Sequence, residues 1–258
     1  MKRFVKIYTY WLLGILLFTG CDDYLKEDSG DLLIPGKVEE FLPMLYREGF
    51  PRNFNDEVAW LYLMTDDVEM GQLELDPEDE ANDTRDKNSS DAFNVGEGEE
   101  PYKWEREIKS YADNFWERRY GNILACNLVI DALPEMEYVE ADSGNYNFLA
   151  AQAYALRAYN YWCLVNSYAL PWSKENLDKP GVIIRMEPQI NISPRGRSSI
   201  REVYDLINED IEKAEKYINI ATFDGNIHRL SEPAILLLAS RIALFQENWD
   251  EVIRTGKL

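Results

Sequence analysis

Between residues 146 and 170 the chain carries one formal charge, Arg157, among Ala150, Ala153, Tyr154, Tyr161, Leu164, Val165 and Tyr168. Its apolar side chains leave no polar face at helical spacing. A helix that is apolar on nearly every side has to be covered on more than one. The segment therefore predicts a central helix flanked by neighbours, with the rest of the chain arranged around it. A buried ion must be paired, so Arg157 is read as structural: a clamp onto a carboxylate or onto backbone carbonyls.

The neighbours are legible by the same rules. A helix over 105–133 is predicted from the three/four-residue stride of Ile108, Tyr111, Phe115, Ile123, Cys126, Ile130 and Leu133, ended by Pro134, with Gly121 as a candidate kink. Trp116, Trp162 and Asn127 lie inside these helical patterns and are read as structural. Four prolines between 171 and 197 forbid a long helix and favour extended or turn backbone. Ser199-Ile200-Arg201-Glu202 is a capping box that opens a third helix. That helix buries Ile200, Val203, Ile207, Ile211, Ala214 and Ile218 and turns its Asp, Glu and Lys residues to water. A fourth starts at Ser231, with Pro233 harmless in the first turn, and runs to Phe245. Asn248 breaks or caps it before Trp249-Asp250-Glu251-Val252-Ile253 begins another. Residues 38–63 are moderately helical, interrupted by Pro43 and Pro51.

The last pair has the grammar of a helical hairpin repeat. Small residues Ala239 and Ala243 let a partner helix approach closely, and the unit looks like a tetratricopeptide pair. Its second helix is short, which leaves Trp249, Val252 and Ile253 without obvious cover.

The N-terminus has the order of an export signal. Lys2, Arg3 and Lys6 precede an apolar run over 7–18, too short for the roughly 20 residues a bilayer core needs, and Phe18-Thr19-Gly20-Cys21 follows. Small residues before a cysteine that is followed by Asp22-Asp23 resemble a bacterial lipobox, in which Cys21 is lipidated. An ordinary signal peptide containing a Cys is the alternative. Without residues 1–20 the balance moves from 27 basic against 47 acidic side chains to 24 against 47, a net of −23. That leaves no excess of Lys and Arg to neutralise phosphates, which argues against nucleic acid and against electrostatic docking on anionic lipid. A neutral ligand or a protein partner meets no such penalty.

Residues 66–100 hold fourteen acidic side chains against Arg85 and Lys87 and read as a long exposed loop. A calcium loop starting at Asp76 would need Gly at its sixth position and Glu at its twelfth, where Ala81 and Lys87 stand. Asp66-Asp67 is read as a solvated pair, and neither it nor Asp22-Asp23, which resembles the acidic sorting signal beside a lipidated cysteine, is read as catalytic, because glycoside hydrolysis needs two carboxylates placed by the fold on either side of the bond. His228 is the only histidine, which removes HExxH zinc sites and leaves a single residue for any Ser/His/Asp triad. Cys126 and Cys163 sit in helical stretches and are read as small buried apolar residues. No catalysis, cofactor or metal is expected.

Taken in order, these motifs resemble one family, the SusD/RagB-like outer-membrane lipoproteins of Bacteroidetes. The resemblance runs from Cys21-Asp22-Asp23-Tyr24-Leu25 through Trp116, Tyr120, Ile123 and Asn127 to Ala153-Tyr154-Ala155-Leu156-Arg157-Ala158-Tyr159. It continues with Leu164-Val165-Asn166-Ser167-Tyr168, Pro180-Gly181-Val182 and Pro194-Arg195. Val203-Tyr204, Ile207, Asp210-Ile211 and Ala214 follow, then Leu238-Ala239-Ser240-Arg241-Ile242-Ala243. Ala169 stands where the family often has Gly, and members commonly run to twice this length, so the resemblance covers their N-terminal half. It implies a mainly α scaffold of tetratricopeptide-like pairs with long loops, here C-terminally truncated. Expected are a signal peptide over 1–20, a tether over 21–37, and a helical domain over 38–258.

The same resemblance implies a lipid-anchored receptor on the outer face of the outer membrane. It would bind oligosaccharide or another nutrient and deliver it to a SusC-like TonB-dependent barrel transporter. Its ligand loops would lie just before the helix holding Trp116. Neutral sugars bind through aromatic faces beside planar polar groups, which singles out Tyr102 and Trp104 as a stacking platform and Trp172 as a second candidate. Packing of Trp104 beneath the loop is the competing reading. A tethered adaptor that binds protein only, and a truncated remnant without function, are the alternatives for the chain as a whole.

Overall fold

The computed structural model describes residues 37–51, 64, 102–106, 115–136, 138, 140–190, 193–223 and 225–257. The export segment, nearly all of the tether and the acidic stretch 66–100 lie outside the described residues. Among the described residues there are six α-helices: α1 (Val38–Glu48), α2 (Phe115–Ala132), α3 (Ser143–Tyr168), α4 (Ile200–Ile218), α5 (Glu232–Phe245) and α6 (Trp249–Thr255). No strand forms among them; one isolated bridge joins Pro180 to Ser199.

The singly charged segment is α3, and it is central. It packs against α1, α2, α4 and α5. Each face belongs to a different part of the core. Leu149, Ala150, Ala153 and Leu156 meet Val38, Phe41 and Leu45 of α1 and Cys126 and Val129 of α2. Phe148, Ala151 and Ala155 meet Ala214 and Ile218 of α4 and Ile235 of α5. Ala158, Tyr161, Trp162, Leu164 and Val165 meet Ile123, Val203, Ile207, Ile242 and the linker's Val182. Five fully buried alanines in one helix allow this close approach on several sides at once. The absence of a polar face follows from that position.

The helix ends obey local chemistry. Ser199 accepts the Glu202 backbone N–H at 3.2 Å, while Glu202 accepts the Ser199 N–H at 2.7 Å, closing the capping box. Pro233 lies in the first turn of α5. Asn248 accepts the Glu251 N–H at 3.3 Å and caps α6. All six residues expected to line the α4 stripe are buried. Cys126 is buried, and neither it nor Cys163 forms a disulfide.

Three expectations are corrected. The first long helix does not begin at Glu105: Trp104 has φ 56° in the left-handed region, and Glu105 and Arg106 are not helical. Pro43 does not interrupt α1 but lies within it. Its ring is exposed rather than packed into the core. Helix α2 is continuous through exposed Gly121. Finally, Asp210 does not face water. It is fully buried, because the stride Val203–Ile207–Asp210–Ala214 puts it on the apolar stripe.

Candidate functional site

Asp210 is buried because α3 places Arg157 opposite it. The guanidinium donates Nε to Oδ2 and Nη2 to Oδ1, both at 2.7 Å, a bidentate pair of the strong kind. Burial pushes the Asp210 carboxyl up, and the two Arg157 hydrogen bonds pull against it. On the arginine burial works against the charge and Asp210 more than restores it. The third donor, Arg157 Nη1, reaches Asn127 Oδ1 on α2 at 3.0 Å. Asn127 in turn donates Nδ2 to the carbonyls of Arg185 at 2.9 Å and Glu187 at 3.2 Å. One polar relay thus runs from α4 through α3 and α2 to the linker between α3 and α4.

That linker is fastened along its length. Tyr120 Oη donates to Ile183 O at 2.7 Å. Tyr161 Oη donates to Arg185 O at 2.7 Å and accepts the Arg185 N–H at 2.8 Å. Burial pushes the Tyr120 phenol up to about 12 and drives Tyr161 higher still, so both are neutral donors at physiological pH. The Gly181 N–H donates to Ser198 O at 2.7 Å and the Ser198 N–H to Val182 O at 2.9 Å. A side chain at Gly181 would meet backbone atoms of Ser198 and Ile200 at 3.1 Å, so glycine is what allows the two legs to close.

Beside the linker stands an aromatic cluster. Trp116 meets Tyr168 edge-on with centroids 4.9 Å apart and lies 4.9 Å from Tyr120. Arg197 sits over the Trp116 ring at 5.8 Å and donates to Tyr168 O at 2.9 Å. Trp116 is thus half-buried in packing. Trp172 is half-buried too, its ring edge-on to Tyr204 at 4.6 Å. Tyr102 is half-buried, whereas Trp104 is 67% exposed. Trp172 is engaged with Tyr204 of α4, and Trp104 projects from a left-handed turn. A left-handed backbone costs a non-glycine residue about 1–2 kcal/mol, and so exposed a ring recovers little of that by burial.

Sequence reasoning found Arg157 but missed Asp210, whose signal was its place on the α4 stripe. It also missed the hydroxyls of Tyr120 and Tyr161 and the amide of Gln152. Gln152 grips Leu230 by both backbone groups, at 2.7 and 2.9 Å. Among the described residues no cluster of His, Cys, Asp and Glu could hold a metal ion. No helix among them is long and apolar enough to cross a membrane.

Residues 50–244 match the family model SusD-like_3, described as starch-binding associating with outer membrane. A relative from Formosa agariphila, SusD-like protein P38, is 31% identical over 138 residues, which are 52% of this chain and 24% of that protein. A SusD superfamily protein from Bacteroides thetaiotaomicron has a similar fold, with TM-score 0.60, 15% identity, and coverage of 85% of this chain and 45% of its own. A laminarin-binding SusD-like protein matches at TM-score 0.58 and 19% identity, over 84% of this chain and 41% of its own. The chain therefore spans about a quarter of the curated relative and less than half of these structures.

Proposed function

The chain belongs to the SusD-like family, and from that premise we propose that it is a lipid-anchored glycan receptor of the outer membrane that binds without hydrolysing. The observation that carries the reading is the family match across 50–244, since it spans α2 to α5 and the linker. The exposed Trp104 supports it: an aromatic face held out in a strained turn is available for the C–H face of a sugar ring, with half-buried Tyr102 two residues away. The surplus of negative charge favours a neutral glycan, and one structural neighbour is a laminarin-binding SusD-like protein. Trp172 is a weaker contributor because its ring is committed to Tyr204.

Lipid on Cys21 would hold the receptor at the cell exterior, where it delivers oligosaccharide to a SusC-like TonB-dependent barrel. Diacylglyceryl plus an N-acyl chain gives the multiple chains that stable anchoring needs. Affinity gels loaded with neutral and acidic glycans test the binding: retardation by a neutral glycan supports the reading, and migration unchanged in every gel counts against it. Mass spectrometry of the N-terminal peptide tests the anchor; an unacylated Cys21 contradicts it.

A protein-only adaptor is the second reading, and one observation favours it. Leu237, Leu244 and Phe245 of α5 and Trp249 and Ile253 of α6 are 44–68% exposed, an apolar density of the kind found at protein interfaces.

A further inference from the structure

Helix α5 has the composition of a central helix and the packing of a surface one. Between Glu232 and Glu247 its only charged side chain is Arg241, and a helix apolar on nearly every side needs cover on more than one. Ile235, Ala239, Ile242 and Ala243 bury a single face. On the other, Leu237, Arg241, Leu244 and Phe245 recur at the three- and four-residue spacing of one helical stripe. All four are exposed, Leu237 at 68%. The turn that follows is tied back to α5: the Glu247 N–H donates to Leu244 O at 3.1 Å and the Asn248 N–H to Ala243 O at 2.9 Å. Exposed Glu247 stands in that turn with φ 56°.

The charges along this stripe are unmatched among the described residues. Arg241 lies over the Trp162 ring at 5.2 Å and has no carboxylate partner there, and Glu247 has no basic one. The two stand three residues to either side of Leu244. When two copies of a helix pair antiparallel about a twofold axis, each residue before the axis faces the one equally far beyond it. An axis at Leu244 therefore sets Arg241 of each copy against Glu247 of the other, twice, with apolar Leu244 against its own equivalent at the centre. An apolar stripe with one unmatched charge of each sign placed evenly about its middle is complementary to itself. A lipid surface answers only the apolar part, and the chain's acidic surplus opposes anionic headgroups. Repulsion between two acidic copies is screened beyond about 8 Å at physiological salt, whereas apolar contact is not.

We propose that the outward stripe of α5 is the interface of a twofold dimer of this chain, centred on Leu244 and closed by Arg241–Glu247 pairs between the copies. The inference stands apart from glycan binding, and it gives the face cited for a protein-only adaptor a second copy of the chain as its occupant. The test uses the full chain in native cells, carried as two copies with different epitope tags. Packed helices lie about 8–10 Å apart, so Leu244→Cys is expected to give a disulfide-linked dimer under mild oxidation, and Lys174→Cys, at an exposed position outside α5, is not. Arg241→Glu sets like charges against each other across the axis, and so does Glu247→Arg. Each is expected to cut capture of its own tagged counterpart at least ten-fold. Expressed together, the two variants are complementary at both pairs, and capture between them should return to the parent's level. Circular dichroism of the purified variants should show the parent's helix content, and their retardation in glycan gels should be the parent's. Absence of the cross-link at 244 overturns the dimer, as does a cross-link from 244 only to a different protein. Capture that survives both single variants, or fails to return when they are mixed, overturns the register centred on Leu244.

Discussion

Replacing Asp210 by Asn keeps the volume and one acceptor but removes the counter-charge from a guanidinium that is 2% exposed. Breaking a buried ion pair from one side costs about 3–5 kcal/mol, because the remaining charge stays desolvated and unpaired. Typical domains have only about 5–15 kcal/mol in total. With a urea dependence of about 2 kcal/mol per molar, the unfolding midpoint should fall by about 1.5–2.5 M. The double change Arg157→Met with Asp210→Leu removes both charges, so it should lose less than Asp210→Asn alone. It should still fall short of the parent by about 1–3 kcal/mol, because Asn127 Oδ1 then has lost its Arg157 donor. Far-ultraviolet circular dichroism in urea measures all three proteins. Hydrogen exchange at 183–187 should quicken along with the loss, since the relay ends on those carbonyls. A loss below about 1 kcal/mol for Asp210→Asn, or a double variant less stable than Asp210→Asn, would refute the reasoning.

Three further outcomes are expected. Ser199→Ala should cost about 0.5–2 kcal/mol by removing the cap of α4, read from the same urea curves. The Tyr120 phenol is held near 12 by burial, against about 10 in an unfolded chain; between those values the unfolded state has lost a proton that the folded state keeps. Stability should therefore fall as pH rises through that window, with tyrosinate absorbance in the folded protein appearing later than in urea. The outward face of α5 and α6 should bind a hydrophobic dye or mediate self-association, and Trp249→Lys should diminish either effect; a dye-silent monomer would contradict it.

What the sequence shows of this fold depends on how far each cause reaches along the chain. Helix α3 and the capping box at Ser199 were legible because their causes are local: periodicity, composition and a three-residue hydrogen-bond loop. Arg157 announced the need for a partner, since a lone charge in an apolar helix has few options, but the partner is 53 residues away. Asp210 could have been found by asking which acidic residue shares the apolar stride of a neighbouring helix. The fastening of the linker was not legible: Tyr120 and Tyr161 reach backbone groups 63 and 24 residues on, and no sequence pattern encodes a carbonyl's position. The place of Pro43 inside α1 was not legible because proline disfavours a helix interior locally, while the packing of Val38, Phe41 and Leu45 that holds this helix is a tertiary fact. At the candidate platform, aromatic composition pointed to Tyr102 and Trp104, but neither the left-handed turn nor the engagement of Trp172 with Tyr204 could be read from residue order.

The most direct test of the central claim is isothermal titration of the purified chain, lacking residues 1–20, with a panel of neutral oligosaccharides, repeated for Trp104→Ala. The account predicts binding to at least one neutral glycan and its loss in Trp104→Ala, with the melting temperature unchanged. A folded parent that binds none of the panel, or a Trp104→Ala variant that binds as tightly as the parent, would contradict it.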